Sequence, residues 1–525
     1  MPKIVTAAEA VKHIADGATI TVNSSSGLCC PDAVLKALGE RFAAESHPRD
    51  LTMLHPIAAG DMYGVKGIDH IAKKGLIART LAGSYPSGPS SFDPPLIWQM
   101  IGNNEIAAYN VPSGIMFDMH REAAAKRPGV LTKVGLDTFV DPAREGCAMN
   151  ARAAAVPIVK KIMFEGEEWL YFPAIVPGVA IIRATSSDER GNLTFEQEGA
   201  YLGALDLAMA AHNNGGTVIA QVKHIVENET LKPHNVYVPG ILVDLIVEAP
   251  DQWQTTQTVY DSAISGEVFK PLSSFALMDW GIGKPIARRI AQELKPGWAV
   301  NLGFGVSANV PRIFLEEGHH GKVTWVIEQG AVGGVPLLDF QFGCSSNAEA
   351  IVPSPYQFAY FQAGGFDCSL LSFLQIDASG SVNVSKLGVR PHVTAGAGGF
   401  VDITTRGKRI VFSGYYNAGA KMEVVDGRLR IEKEGRIKKL VPEVEQVSFS
   451  GRRSVAQGQD ITYITERCVL KLTPEGLVVT EIAPGVELQS NILDQAEFPL
   501  KISPSLKQMD ARLFLPAVMG MTLDG

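Results

Sequence analysis

The chain carries one structural pattern twice, and that duplication constrains its fold more than anything else in it. Ala18-Thr-Ile-Thr-Val22 reads as a strand, Ser24-Ser-Ser-Gly-Leu-Cys-Cys-Pro31 as a turn, and Asp32 to Phe42 as a helix. The same order returns with the strand Ala299-Val-Asn-Leu302, the turn Gly303-Phe-Gly-Val-Ser-Ala308 and a helix from Val310 to Glu317. Further on, Ser187-Asp-Glu-Arg-Gly-Asn-Leu-Thr-Phe195 has its counterpart in Ile376-Asp-Ala-Ser-Gly-Ser-Val-Asn-Val384, each an acidic turn feeding a strand. Similarity repeated in order on this scale implies two homologous halves. Short β-branched runs alternate with longer helical patterns through the first 400 residues, so the halves are expected to be α/β layers.

Between Ala249 and Trp280 both periodicities break, and polar residues fill the stretch from Pro250 to Pro271. Such a stretch reads as a connection. The expected division is therefore 1–250, a linker at 251–280, and 281–525. Beyond Phe400 the pattern turns to strands, and Asp426-Gly427 within Lys421 to Ile431 is a strong hairpin signal, so a strand-rich C-terminal annex is expected. Arg428, Arg430, Lys433, Arg436, Lys438 and Lys439 lie along this part of the chain. They read as a solvated edge strand, with a phosphate-bearing ligand as the alternative use.

Several functions are disfavoured. The net charge is −8 and the basic residues are otherwise scattered, so nucleic acid is not an expected partner. The six cysteines form no C-x-x-C pair and are too sparse for a disulfide framework, which points to a reducing cytoplasm. The start Met-Pro-Lys-Ile-Val has no export leader, and apolar stretches such as Ile241 to Val247 break well before the roughly 18 residues a span needs. Neither export nor a membrane partner is expected. His319-His320 stand alone without metal-ligand spacing, and the G-x-S-x-G and P-loop patterns are absent. No metal site is expected.

The segment Lys322-Val-Thr-Trp-Val-Ile-Glu-Gln-Gly-Ala-Val-Gly-Gly-Val-Pro336 places one carboxylate, Glu328, at the end of an apolar strand before a glycine-rich loop. Open α/β sheets bind ligands beyond the carboxyl ends of their strands, and glycines admit a bulky ligand close to the backbone. A solvated strand-end acid is the plainer reading. A second loop, Ala395-Gly-Ala-Gly-Gly-Phe400, can turn several N–H groups toward an anion, unless it is only a turn. Val111-Pro-Ser-Gly-Ile115 adds a hydroxyl at a similar strand-to-loop position. Gly303-x-Gly305-x-x-Ala308, with Glu328 about 25 residues on, fits a dinucleotide site and keeps a nicotinamide-dependent dehydrogenase open. The glycine-rich loop after Glu328 and the Ser-Ser-Ser-Gly turn of the first half speak against it. Cys29 and Cys30 at a helix start are either thiols of lowered pKa or small buried residues.

Taken together, Glu328-Gln-Gly-Ala-Val-Gly-Gly-Val-Pro336, Gly396-Ala-Gly-Gly-Phe400, Tyr109-Asn-Val-Pro-Ser-Gly114 and Thr138-Phe-Val-Asp-Pro142 resemble the family I CoA-transferases, in particular their single-chain acetate/propionate branch. The resemblance runs from the Gly27 loop to Pro484-Gly485 and implies two open α/β/α domains with the active site between them. It implies transfer of CoA between a short-chain acyl-CoA and a free carboxylate through a glutamyl-CoA thioester on Glu328, with acyl-CoA hydrolysis by the same glutamate as the alternative. Coenzyme A enters only as co-substrate; no permanently bound cofactor and no metal are implied. A glutamate of ordinary pKa near ~4.3 is ionised at neutral pH and needs positioning more than activation. The resemblance assigns the Gly398 and Gly399 amides as oxyanion donors. Relatives commonly place a Gln donor where this chain has Ser113. The shorter hydroxyl either works through a water or leaves room for a bulkier acyl group. Asn347, in Gly343-Cys-Ser-Ser-Asn347, is implied to line the acyl pocket unless it is a structural loop residue, and a homo-oligomer, dimer or tetramer, is implied for the assembly.

Overall fold

The computed structural model describes residues 1–89, 91–388 and 391–523. The duplication read from the sequence appears as two ten-stranded sheets. In the first, the strand Thr19–Val22 lies between Leu51–His55 on one side and Val179–Asp188 on the other, and the sheet continues from Val179–Asp188 to Thr217–Val226 and Leu245–Glu248, all parallel. In the second, Ala299–Leu302 lies between Thr324–Val326 and Cys368–Ser372, followed by Arg409–Ser413 and Asp460–Ile464, again all parallel. The corresponding strands occupy corresponding places. All ten residues of Val179–Asp188 are buried, as expected for a parallel sheet covered on both faces, although only its first four, Val179 to Ile182, form an apolar run and the rest includes the buried polar residues Arg183, Thr185, Ser186, Ser187 and Asp188.

Helices cover these faces. Asp32–Glu45 packs over the first sheet, and its expected start at Asp32 holds, although it runs three residues past Phe42. The helix Ser113–Ala124 of the first half packs against Ser354–Gln362 of the second, where the Phe117 and Phe358 rings meet at 5.8 Å. The two sheets are thus joined through a helical seam, and the site lies at its end.

Two expectations are altered by the fold. The connection 251–280 holds no strand, yet Gln254, Thr255, Thr256, Ala263 and Ile264 are buried, so the segment is packed along its course. The long basic strand is interrupted: Arg428–Lys433 pairs with Lys421–Val425, and Ile437–Lys438 turns to pair with Asn417–Ala418. Lys439 then turns partly inward, placing its ammonium 5.2 Å from the centre of the Phe373 ring. The Asp426-Gly427 turn is as expected, with φ of 49° and 73° at its two central residues, the conformation that matches strand twist in a two-residue hairpin. The strands nearest the C-terminus, Cys468–Thr473, Gly476–Ile482 and Lys501–Gln508, extend the second sheet itself.

Candidate active site

The strand Thr324–Val326 ends two residues before Glu328, which leaves the glutamate at the carboxyl edge of the second sheet. The loop 395–399 closes over it and is itself docked on strand ends of the first half. The Tyr85 N–H donates to the Ala395 carbonyl at 2.7 Å, the Ala397 N–H to Asn110 Oδ1 at 2.8 Å, and the Gly398 N–H to the Gly83 carbonyl at 2.8 Å. Asn110 in turn donates to the Ala82 and Gly83 carbonyls at 3.1 and 2.6 Å. So docked, the loop presents the next amide, Gly399 N–H, to Glu328 Oε2 at 3.2 Å. On the other oxygen the Gln329 side-chain amide donates to Glu328 Oε1 at 3.2 Å, and it donates equally to the Ser25 hydroxyl of the first half.

The glutamate faces a cavity of about 340 Å³ walled by both halves, with Ser25, Ser26, Ala58 and Tyr85 on one side and Phe304, Phe342, Leu371 and Phe373 on the other. Its described lining residues include Glu328, Asp61 and Asp339, and no lysine, arginine or histidine. A hollow of about 400 Å³ bordered by Arg409 and Arg512 lies elsewhere. Those two arginines are committed to Asp460 and Asp510.

Burial pushes the Glu328 carboxyl up to about 7, against the Gly399 N–H and the Gln329 amide, which favour the charged form. The expectation of an ordinary, fully ionised glutamate is therefore corrected: near neutrality the group is poised between its two forms, because the wall removes water from it faster than two hydrogen bonds replace it. An acid limb follows. In the pH profile of kcat/KM for an acyl-CoA, the rate is expected to reach half its plateau near pH 7 and to fall about tenfold per unit well below it. A limb centred near the ordinary glutamate value contradicts this assignment.

The remaining expected residues divide. Gly399 is placed as a donor toward Glu328, whereas the Gly398 N–H is consumed by Gly83 and faces away from the reacting group. Ser113 does not border the cavity. It begins the helix Ser113–Ala124, its N–H donates to the Gly398 carbonyl at 2.9 Å, and its buried hydroxyl lies under Gly83, where a Cβ would approach it to 2.3 Å. Its contribution is to brace the loop. Asn347 also lies outside the cavity: its amide donates to the Lys270 carbonyl and accepts from the Lys270 N–H, both at 2.8 Å, so it clamps the connecting segment. The Cys29 and Cys30 thiols are buried and pushed up, as small residues under a turn would be. Among the described residues no group of side chains is arranged to hold a metal ion, and no helix is long and apolar enough to cross a membrane. The residues that sequence reasoning passed over are Gln329, which stands next to Glu328 in the quoted segment, and Asn110, whose role appears only once the strand ends are adjacent.

A family model described as Coenzyme A transferase matches residues 4–249. The chain is 41% identical over 520 residues to the caffeate CoA-transferase of Acetobacterium woodii, covering 98% of each. It is 38% identical to the acetate CoA-transferase YdiF of Escherichia coli K12, covering 99% of this chain and 96% of that one. Its fold superimposes on the crystal structure of YdiF from Escherichia coli O157:H7, described as a thioester complex with CoA, with a TM-score of 0.90, 37% identity, and coverage of 99% and 98%. A strand-end glutamate in a cavity between two halves, together with full-length relatives of this kind, places the chain in the CoA-transferase family.

Proposed function

We propose that this CoA-transferase exchanges CoA between a short-chain acyl-CoA and a free monocarboxylate by a ping-pong route through Glu328. The observation that carries the reading is the Glu328 carboxylate, open to a cavity shared by the halves and touched by the Gly399 N–H. The carboxylate attacks the thioester carbonyl, the C–S bond breaks, and CoA leaves as thiolate from a mixed anhydride. The thiolate then attacks the glutamyl carbonyl and expels the donor acid as carboxylate, leaving a glutamyl-CoA thioester. An acceptor carboxylate runs the same two steps in reverse. Each half-reaction takes in a carboxylate and releases one, so no net proton is moved. The glutamyl oxyanion formed in these steps develops beside the Gly399 N–H, which supports its role as donor. The division into 1–250, a connection at 251–280 and 281–525 fits this scheme, with the first part supplying the Ser25 to Tyr85 wall and the last the nucleophile.

Substrate charge follows from the cavity wall. An acyl tail with a second carboxylate would be desolvated beside Asp61 and Asp339 without a counter-ion among the described lining residues. With propionyl-CoA as donor, acetate or butyrate is expected to give acetyl- or butyryl-CoA in equal amount to the propionate released, with kcat/KM roughly tenfold or more above that for succinate. Succinate accepted as well as butyrate overturns the charge argument. CoA release at the same rate without any added carboxylate overturns the transferase reading in favour of hydrolysis.

A further inference from the structure

Asp402 stands three residues after Gly399, in the first turn of the helix Phe400–Thr404, and exposes no surface. It touches neither the cavity nor Glu328, and the chemistry above does not use it. Its two oxygens are nevertheless both engaged at the seam between the halves. Oδ2 accepts the Gly114 N–H of the first half at 3.0 Å, and Oδ1 accepts the Gln362 side-chain amide of the second at 3.0 Å. Gln362 also reaches Asp118 Oδ2 at 3.3 Å, and Asp118 pairs with Arg121 at 2.6 Å. Gly114 is shaped to this contact, since a Cβ there would lie 2.4 Å from Asp402 Oδ1.

A buried carboxyl group is costly, and an apolar residue would hold a five-residue helix in a packed seam without that cost. What the carboxyl supplies instead is directional attachment, across the seam, of the helix whose N-cap is Gly399. We propose that Asp402 is a positioning residue: by holding Gly114 and Gln362 it fixes the Gly399 N–H against Glu328. The assignment rests on the transfer reading given above.

Among the described residues, the charged groups facing Asp402 are Glu328 and Asp118, the latter with its partner Arg121, and no basic side chain bonds to Asp402 itself. Burial, reinforced by these two acids, pushes it up to about 8, so it holds its proton at neutral pH and releases it in mildly alkaline solution. Ionised, it adds negative charge close to the place where the oxyanion develops. Transfer is therefore expected to decline above about pH 8, a limb that belongs to the coupled pair of acids.

The test uses the full-length chain with Asp402→Ala and Asp402→Asn, measuring kcat, KM for the acyl-CoA and melting temperature from about pH 6 to 9. Asp402→Ala is expected to lower kcat about 100-fold, the scale of a misplaced oxyanion donor, with KM changed by no more than a few fold. Asp402→Asn keeps an oxygen for Gly114, and the Gln362 amide can turn to meet its NH₂ group. It is expected to recover most of kcat at neutral pH and to lose the alkaline decline. A folded Asp402→Ala enzyme with near-normal kcat, an Asp402→Asn enzyme as slow as Asp402→Ala, or an alkaline limb unchanged in Asp402→Asn overturns the proposal. If Glu328→Ala keeps its transfer activity, the underlying reading fails instead, whatever the Asp402 variants do.

Discussion

Glu328→Gln is expected to abolish CoA transfer while making the protein more stable at alkaline pH. The loss follows from chemistry: the carboxamide is no nucleophile toward a thioester, and removing a covalent nucleophile typically costs about 10⁴-fold or more. The gain follows from linkage. The folded-state carboxyl titrates at about 7, above the ordinary 4.5, so between those values the native state holds a proton that the unfolded state has released. Stability therefore falls as pH rises through that window, and the full cost of the buried charge is present above it. Replacing the carboxylate by an amide of the same shape removes that cost. The melting temperature of Glu328→Gln should thus exceed that of the parent at pH 8 and approach it below pH 4.5, where the parent glutamate is protonated in both states. Equal melting temperatures at both pH values would show that the glutamate is not desolvated. Retained turnover would remove it from the chemistry.

Gly399→Ala is expected to produce the second large loss, and to do so where its neighbour Gly398→Ala does not. At Gly399 the backbone is relaxed, with φ at −87°, but the space is taken: an added Cβ would lie 2.4 Å from Glu328 Oε2 and 2.6 Å from the Phe358 ring. Phe358 is fully packed, so the glutamate is what moves, away from the amide that orients it. At Gly398 the situation is reversed. Its φ of 53° is left-handed, yet a Cβ would meet Glu328 Oε1 only at 3.7 Å, an ordinary contact. We expect Gly399→Ala to lower kcat by about 10²–10³, and Gly398→Ala to cost about 1–2 kcal/mol of stability through backbone strain with a smaller kinetic effect. Steady-state kinetics and thermal melts on the two variants check the ordering. A Gly398→Ala enzyme slower than Gly399→Ala would assign the donor to the wrong amide.

These two neighbours also show where sequence reasoning reached its limit. The strand Ala299–Leu302 and the start of the helix at Asp32, just after Pro31, were legible because residue pattern and turn residues are local properties, and the Asp426-Gly427 hairpin because its turn chemistry is local too. The placement of Glu328 was legible since a strand followed by a glycine-rich loop has one productive end. Which of two adjacent glycines faces it was not, because that depends on Gly83 and Asn110, distant in the chain, docking on the loop from the other half. The places of Ser113 and Asn347, the latter read as either a pocket or a structural loop residue, were hidden for the same reason. Their residue types suit a pocket, but their loops meet Gly398 and Lys270 rather than the cavity. The raised Glu328 pKa was equally hidden, since burial belongs to the assembled walls and not to the residue.

The central claim is that Glu328 becomes covalently attached to CoA, and intact-protein mass spectrometry tests it most directly. The protein is mixed with acetyl-CoA or propionyl-CoA without an acceptor, and any adduct is mapped to its peptide. A CoA-sized mass increase on the peptide containing Glu328, lost on adding a carboxylate and absent in Glu328→Gln, is the expected result. An adduct on another residue, or carboxylate-dependent exchange by an enzyme that never carries CoA, would contradict it.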